Sequence, residues 1–333
     1  MPLTTVSVLL PLRNAAEHLE DCLQSLEAQT LKGVQIVAVD HGSTDATAQI
    51  LAAWPGLTIL RQEGGSLLDA LNAGLARCEG RYIARMDGDD RSLPRRLEAQ
   101  ADFLDAHPEV ALCGTQVRLF SEAGLSEGYQ AYESWVNGLS SSDDIQRELF
   151  VECPLPHPTW MVRREAYEQL GGYQDDALPE DYHFVLRCAK AGFGLVKLPE
   201  VLLEWREHPQ RHSRSHPRYN RHAFFQLKAK FLDTLVLKGR PACVWGAGER
   251  ARLLIRYLQA EGVKVAWAVG LPQGTEGGPT EAHGVPVIAP EAVPKELPGP
   301  LLACVGSPGV KPEIRAWMAR RNWVEGKEWC FVS

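Results

Sequence analysis

The first hundred residues repeat one pattern: a short apolar run, a turn, then an amphipathic stretch. "VSVLLPL" (6–12), "VQIVAVD" (34–40), "LTILRQ" (57–62) and "RYIARMD" (81–87) have the length and composition of strands. Between them, "AAEHLEDCLQSLEAQ", "HGSTDATAQILAAW" and "SLLDALNAGLARCEG" carry apolar residues at helical spacing, with Asn14 placed to cap the first. Strands that are apolar along their whole length and alternate with helices predict an α/β fold, a mainly parallel sheet covered on both faces. Ligands of such sheets bind beyond the carboxyl ends of the strands, which is where Asp40 and the "MDGDD" cluster fall.

Past residue 110 the pattern becomes irregular, with a polar stretch over 121–147. Helical "RREAYEQLGG" and "PEDYHFVLRCAKAG", strand-like "LVKLPEVLLEW", a basic tract (206–222) and a helix to about residue 236 follow. "VLKGRP" (236–241) reads as a linker, because "PACVWGAGERARLLIRYLQAEG" opens a fresh strand-turn-helix unit. The expected organisation is a first domain over 1–235, the linker, and a smaller domain over 242–333.

A length of 333 residues fits two domains better than one core, and 45% apolar with 23% charged residues is a globular balance. A formal net charge of −7 argues against general nucleic-acid binding. Eight scattered cysteines without a CxxC pair read as buried thiols in a reducing compartment. No run reaches the ~18 apolar residues of a membrane span. A cytoplasmic protein without an integral membrane segment is expected, with peripheral attachment at the inner face of the membrane left open.

Asp87, Asp89 and Asp90 crowd three carboxylates into four residues. Such a cluster repels itself unless a cation, an exposed turn or a helix start compensates. The sheet-edge position favours a divalent cation, with hard oxygen ligands, Mn2+ or Mg2+, and a nucleotide diphosphate completing its coordination. Glu180 and Asp181 open an amphipathic helix, where a capping role is the plain alternative to a catalytic one.

Five ordered blocks, "VSVLLPLRNAAEHLEDCLQSLEAQT", "IVAVDHGSTDATAQIL", "GGSLLDALNAGLARCEGRYIARMDGDD", "HPTWMVRREAYEQLGGY" and "PEDYHFVLRCAKAG", resemble the family-2 glycosyltransferases, which have the GT-A nucleotide-sugar-binding fold. The resemblance implies that Pro11 and Asn14 shape a nucleotide pocket and that Asp40 and His41 contact base and ribose. It assigns Asp87-Gly88-Asp89 as the DxD motif, with Asp87 facing ribose and metal, Asp89 the main metal ligand and Gly88 giving the ligand clearance; Asp90 is left as a helix cap. It puts the general base at Asp181, with Glu180 orienting it or binding acceptor, and brings His208 to the metal or diphosphate; His157 also matches a recurring histidine. The implied reaction is metal-dependent, inverting transfer from a nucleotide-diphosphate sugar, by default a UDP-sugar, to a hydroxyl of a glycan, lipid-linked sugar or small molecule.

Three departures bear on the donor. Arg13 replaces an aromatic residue, His41 replaces an aspartate, and Leu71 stands where the family often has arginine. A guanidinium can stack or contact phosphate, and a neutral histidine can accept or donate, so guanine, thymine and cytosine donors stay open. The tract from Arg206 to His222 holds five arginines and four histidines against Glu207 alone. His208, His212 and His216 have helical spacing that Pro209 and Pro217 interrupt, so a basic flap or a solvated surface is expected.

In the last segment Gly246-Ala247-Gly248 has the form of a dinucleotide fingerprint, yet Val269-Gly270 stands where the ribose-binding acid belongs. A small Rossmann-like domain with a scaffold or homo-oligomerisation role is favoured over one that binds a nucleotide. Two other readings remain: a nucleotidyltransferase, which would need a triphosphate loop that "PLRNAAEH" lacks, and a non-catalytic nucleotide-sugar or dinucleotide-binding protein.

Overall fold

The computed structural model describes residues 5–174, 177–209, 211, 216–270, 281–306 and 309–333. The chain forms two compact units. The first comprises Met1–Ile145, Pro154–Asp176 and Glu180–Ser215; the second comprises Gln146–Cys153, Ala177–Pro179 and His216–Ser333. By compactness the division therefore falls after residue 215, and the helix Arg221–Leu232, expected to close the first domain, belongs to the second unit.

In the first unit, strands β1 (Val6–Leu12), β2 (Gln35–His41), β3 (Leu57–Gln62) and β4 (Tyr82–Arg85) run parallel. All seven residues of β1 are buried, as two covered faces require. Helices α1 (Leu19–Glu27), α2 (Thr47–Ala53) and α3 (Leu67–Leu75) alternate with these strands. Helix α1 packs Leu19, Cys22, Leu23 and Leu26 into the core at the spacing of one helical stripe. Its start differs from expectation. The N-cap position belongs to His18, while Asn14 lies in the preceding turn, in the left-handed region (φ 51), and does not cap α1.

The irregular middle region is more ordered than its pattern suggests. It holds β5 (Arg91–Ser92), α4 (Arg96–Ala106), β6 (Val110–Phe120), β7 (Met161–Arg163), α7 (Arg164–Leu170), α8 (Glu180–Lys190) and β8 (Gly194–Arg206). The polar stretch contains helices α5 (Glu127–Gly138) and α6 (Ser142–Glu148). Strand β6 pairs parallel with β8 and antiparallel with the short β7, and β7 closes antiparallel onto β4. β5 pairs antiparallel with the far end of β8. The eight strands stand in the order β3-β2-β1-β4-β7-β6-β8-β5. The fold is thus a mixed, mostly parallel α/β sheet of GT-A type, with the ends of β1, β2 and β4 along one edge.

The second unit has its own sheet. Strands β9 (Ala242–Trp245), β10 (Val265–Val269), β12 (Val285–Ile288), β13 (Leu301–Ala303) and β14 (Trp329–Phe331) are parallel, and β11 (Glu281–Ala282) is an antiparallel edge. Their order, β11-β12-β10-β9-β13-β14, is the expected Rossmann-like arrangement. None of the helices among the described residues is long and apolar enough to cross a membrane.

Candidate active site

Two loops leave the sheet edge locked to each other. The backbone N–H of Asn14 donates to Ser43 Oγ at 2.9 Å, and Asn14 Oδ1 accepts from Thr44 N at 2.8 Å. Asp45 extends the lock by accepting from Ala16 N (3.0 Å) and Thr47 Oγ1 (2.6 Å). Burial pushes the Asp45 carboxyl up, but those donors outweigh it and hold it below the usual range. Asn14 is therefore a loop staple, and its left-handed backbone is one that a short polar side chain tolerates better than most.

Pro11 is buried opposite Val39, one residue from the paired positions Leu12 and Asp40, so the two strands end together. Asp40 is buried; its Oδ1 takes the Ser43 N–H at 3.0 Å, and Arg61 lies 3.8 Å from Oδ2. His41, 6% exposed, ends β2 beside Gln62 of β3. His41 Nδ1 and Gln62 Oε1 are both buried with no hydrogen-bond partner among the described residues. Burial holds the His41 ring below its usual 6.5; a backbone group of Gly65 pulls the other way and the nearby Arg13 charge lowers it further. Arg13 itself is exposed. The paired ends of β2 and β3 thus carry two orphaned polar atoms, which native interiors rarely leave unmatched.

The acidic cluster follows β4. One ligand oxygen from each of Asp87, Asp89 and Asp90 lies within 4.8 Å of the others. Arg85, 3% exposed, donates to Asp87 Oδ1 at 2.7 Å and to the Met86 carbonyl. Arg96, also buried, donates to the carbonyls of Arg85 (2.7 Å) and Pro158 (2.9 Å). Two guanidinium groups thus underlie the three carboxylates. His208 Nε2 sits 2.8 Å from Asp89 Oδ2, which brings that histidine to the acidic cluster. Burial raises Asp89, yet His208 and Arg211 outweigh it and keep it below the usual carboxylate range.

Asp90 is 1% exposed and does not cap a helix, since α4 begins only at Arg96. Its Oδ1 accepts the Arg206 N–H at 2.8 Å, and its Oδ2 is buried without a partner among the described residues. Burial, followed by the charges of Asp89 and Asp87, pushes its carboxyl well up. A divalent cation fits this donor set: hard oxygens, close together, one of them orphaned. Packing alone gives a reason for Gly88, because a Cβ there would strike Leu12 Cδ2.

Arg206, expected at the start of a basic flap, is buried at the end of β8. It donates to the Asp89 carbonyl at 2.9 Å and pairs with Asp21 at 3.3 Å. Arg211 pairs with Glu207 at 3.0 Å and lies over the Trp205 ring at 4.5 Å. His212 lies outside the described residues. His157 is a core residue: its Nε2 meets Tyr173 Oη at 2.8 Å, its ring packs on Trp160, and burial lowers its pKa well below the usual range.

Glu180 and Asp181 open α8. Glu180 is buried and Asp181 half-buried, with Asp181 Oδ1 accepting the Tyr182 N–H at 2.7 Å. The charge of Glu180 reaches Arg85, which also holds Asp87, so one guanidinium answers to both acidic pairs.

The family model "Glycosyl transferase family 2" matches residues 7–171 of this chain. Over 207 residues the chain is 36% identical to the amylovoran biosynthesis glycosyltransferase AmsE of Erwinia amylovora, covering 60% of this chain and 75% of that protein. The chain belongs to glycosyltransferase family 2. Among solved structures, S. aureus TarS 1–349 in complex with UDP superposes with a TM-score of 0.54 at 18% identity, over 77% of this chain and 71% of that one. The mannosyltransferase PcManGT from Pyrobaculum calidifontis, in complex with GDP-Man and Mn2+, gives 0.50 at 21% identity, over 70% and 66%. These two similarities establish the fold.

Two contacts, one under the acidic cluster and one at the turn after α7, escape a reading of the sequence. Arg85 has a visible signal, a cation inside an otherwise apolar strand. Asn72, the asparagine of the "ALN" block, gives no sign of its partner: its side chain bridges the Tyr173 backbone, donating to the carbonyl at 2.9 Å and accepting from the N–H at 3.0 Å. That clamp fixes the glycine turn that follows α7. Leu71, where the family often has arginine, is fully buried.

Proposed function

We propose that the first unit transfers a glycosyl group from a nucleotide-diphosphate sugar to an acceptor hydroxyl with inversion, in the synthesis of a glycan, polysaccharide or glycoconjugate. The observation that carries this reading is the three-carboxylate cluster at the β4 end, with Asp90 Oδ2 buried and unmatched among the described residues. Asp87 and Asp89 hold a divalent cation, with Asp90 behind them and His208 beside Asp89. When bound, the cation supplies Lewis-acid stabilisation of the departing diphosphate.

Asp181 takes the acceptor proton as the hydroxyl oxygen attacks the anomeric carbon; the bond to the diphosphate oxygen breaks on the opposite face, and its electron pair leaves with the diphosphate. Glu180, next to it, orients the base. Pro11, Arg13 and Asn14 border the nucleotide, with Asp40 and His41 facing base and ribose. With Gly65 at one side of the ring, His41 Nδ1 is an acceptor, which suits a base presenting a ring N–H. Uracil is the first choice and guanine the second; cytosine offers no ring N–H at that edge. We place the reaction in the cytoplasm, with an acceptor at the inner face of the membrane as one site of action.

Thermal-shift measurement against UDP, GDP, dTDP, CDP and NAD, with and without manganese, tests this. Manganese-dependent stabilisation by one diphosphate is expected, lost in Asp89→Asn. Asp181→Asn should abolish transfer and keep donor stabilisation. Stabilisation by NAD alone refutes the reading, and loss of donor binding in Asp181→Asn reassigns that carboxylate to the donor site.

A further inference from the structure

The second unit carries chemistry that sugar transfer leaves unused. In its sheet, β9 lies between β10 and β13, so the chain order reverses there, and the carboxyl ends of β9 and β13 flank a topological switch point. Gly246 leaves β9 at φ 132, where a Cβ would strike the Cys304 carbonyl and lie 3.3 Å from Ala251 Cβ. The turn, the helix Glu249–Ala260 and the end of β13 are thus packed together. After β13, a Cβ on Gly306 would lie 2.8 Å from Arg250 Nε, so the guanidinium rests against Gly306.

Close enough to feel the Arg250 charge lies Lys228, 4% exposed. Its ammonium donates to the carbonyls of Val151 at 2.8 Å and Val332 at 2.9 Å. An ammonium has three N–H groups; no third oxygen or nitrogen acceptor is in reach among the described residues, and the Phe225 ring stands 5.3 Å from Nζ. Burial brings Lys228 down to about 8, with Glu152 opposing and Arg250 and Lys311 adding to it. Lys311 is lowered by burial as well, with Glu148 and Glu325 opposing. The neighbouring Arg315 is answered by Glu325 (3.0 Å) and Glu148 (3.2 Å), whereas Arg250, Lys228 and Lys311 have no ion pair among the described residues. Lys228 and Lys311, both lowered by burial and by the nearby Arg250 charge, with no carboxylate in contact among the described residues, are an unfavourable grouping without a counter-charge.

We infer that the carboxyl ends of β9 and β13, with the cations around them, bind the phosphate group of a small molecule. Arg250 from the helix Glu249–Ala260 and Lys311 from the helix Val310–Ala319 contact the oxygens, Lys228 directs its remaining N–H from below, and the amides of the 246–248 turn complete the cradle. A bound dianion offsets the mutual repulsion of the three cations. The missing acid after β10 argues against NAD-type ribose recognition and leaves the phosphate as the recognised feature. This assignment does not depend on the reading of the first unit.

The test uses the full chain with metal removed by chelator, inorganic pyrophosphate as probe, and titration calorimetry. One site per chain is expected, weakened at least about tenfold by Arg250→Gln and by Lys311→Gln, each of which removes one charge-assisted contact. Asp89→Asn should leave it unchanged. Parallel arms with UDP and ADP separate the sources: tighter binding than pyrophosphate identifies a nucleotide, equal binding a simple phosphate. Absence of binding to the unaltered chain overturns the inference. So does binding that survives Arg250→Gln and Lys311→Gln but is lost in Asp89→Asn, which would place the ion in the first unit.

Discussion

The Asn72 clamp makes a quantitative prediction about how the turn after α7 is held. Tyr173 is buried, so when Asn72→Ala removes the side chain, both its backbone N–H and C=O lose their partners with little access to water. Two lost hydrogen bonds, each costing about 1–2 kcal/mol when the partner is stranded, give about 2–4 kcal/mol of local destabilisation. Gly172 adds a second perturbation, since it sits at φ 68 and a Cβ there would lie 2.7 Å from Asn72 Oδ1. Gly172→Ala therefore costs about 1–2 kcal/mol for the left-handed backbone and about 1–3 kcal/mol for the overlap. In an Asn72→Ala background the overlap disappears and only the backbone cost remains. Native-state hydrogen exchange at the Tyr173 amide reads this directly, and Asn72→Ala should speed it by roughly 30- to 700-fold at about 1.4 kcal/mol per factor of ten. The double variant should fall short of the sum of the singles by about 1–3 kcal/mol. Additivity within about 0.5 kcal/mol would refute the clamp as described.

Two further expectations concern ionisable groups. His41→Ala should weaken diphosphate-dependent stabilisation by about tenfold, the value of one hydrogen bond to a ring N–H; because burial lowers the His41 ring, the unaltered protein should keep its donor affinity down through the ring's ordinary value of 6.5 and lose it only below, and a loss beginning above that pH would contradict the assignment. Lys228 titrates at about 8 when folded and 10.5 otherwise, so between those values the unfolded chain binds the extra proton and stability rises with pH. At about 1.4 kcal/mol per pH unit the rise from this group amounts to about 3 kcal/mol. Raised cysteines titrate nearby with the opposite sign, so the measure is the pH dependence of urea-unfolding stability in the unaltered chain against that in Lys228→Met; equal dependences would refute the buried charge.

What is legible in the sequence is local. The strands β1, β2 and β4 announce themselves as apolar runs, and their ends place Pro11, Asp40, His41, Asp87 and Asp89 on one edge. The second sheet is visible in the same way, from a strand, a glycine turn and a helix. What is hidden is long-range: Asn72 meets Tyr173 across 101 residues, Asp90 meets Arg206 across 116, and no periodicity encodes either. The 11-residue β6 stays hidden because Gly114, Thr115, Gln116 and Arg118 interrupt its apolar run; it is paired along its length with β8, and Gln116 donates to the Asn137 carbonyl of α5.

Asp90 shows most clearly why a local rule can fail at a site. An acidic residue shortly before a helix usually serves that helix, and such a reading divides the cluster into two ligands and a cap. The chain instead inserts β5 between Asp90 and α4, which pairs with β8 and carries the carboxylate inward. There one oxygen fixes the end of β8 through the Arg206 N–H, and the segment that follows delivers His208 to Asp89. The third aspartate is therefore what couples the cluster to the segment bearing its histidine, while its second oxygen, buried and unmatched, stays in the cluster. An isolated cap would need neither burial nor that partner; a carboxylate that joins two halves of the proposed cation site needs both.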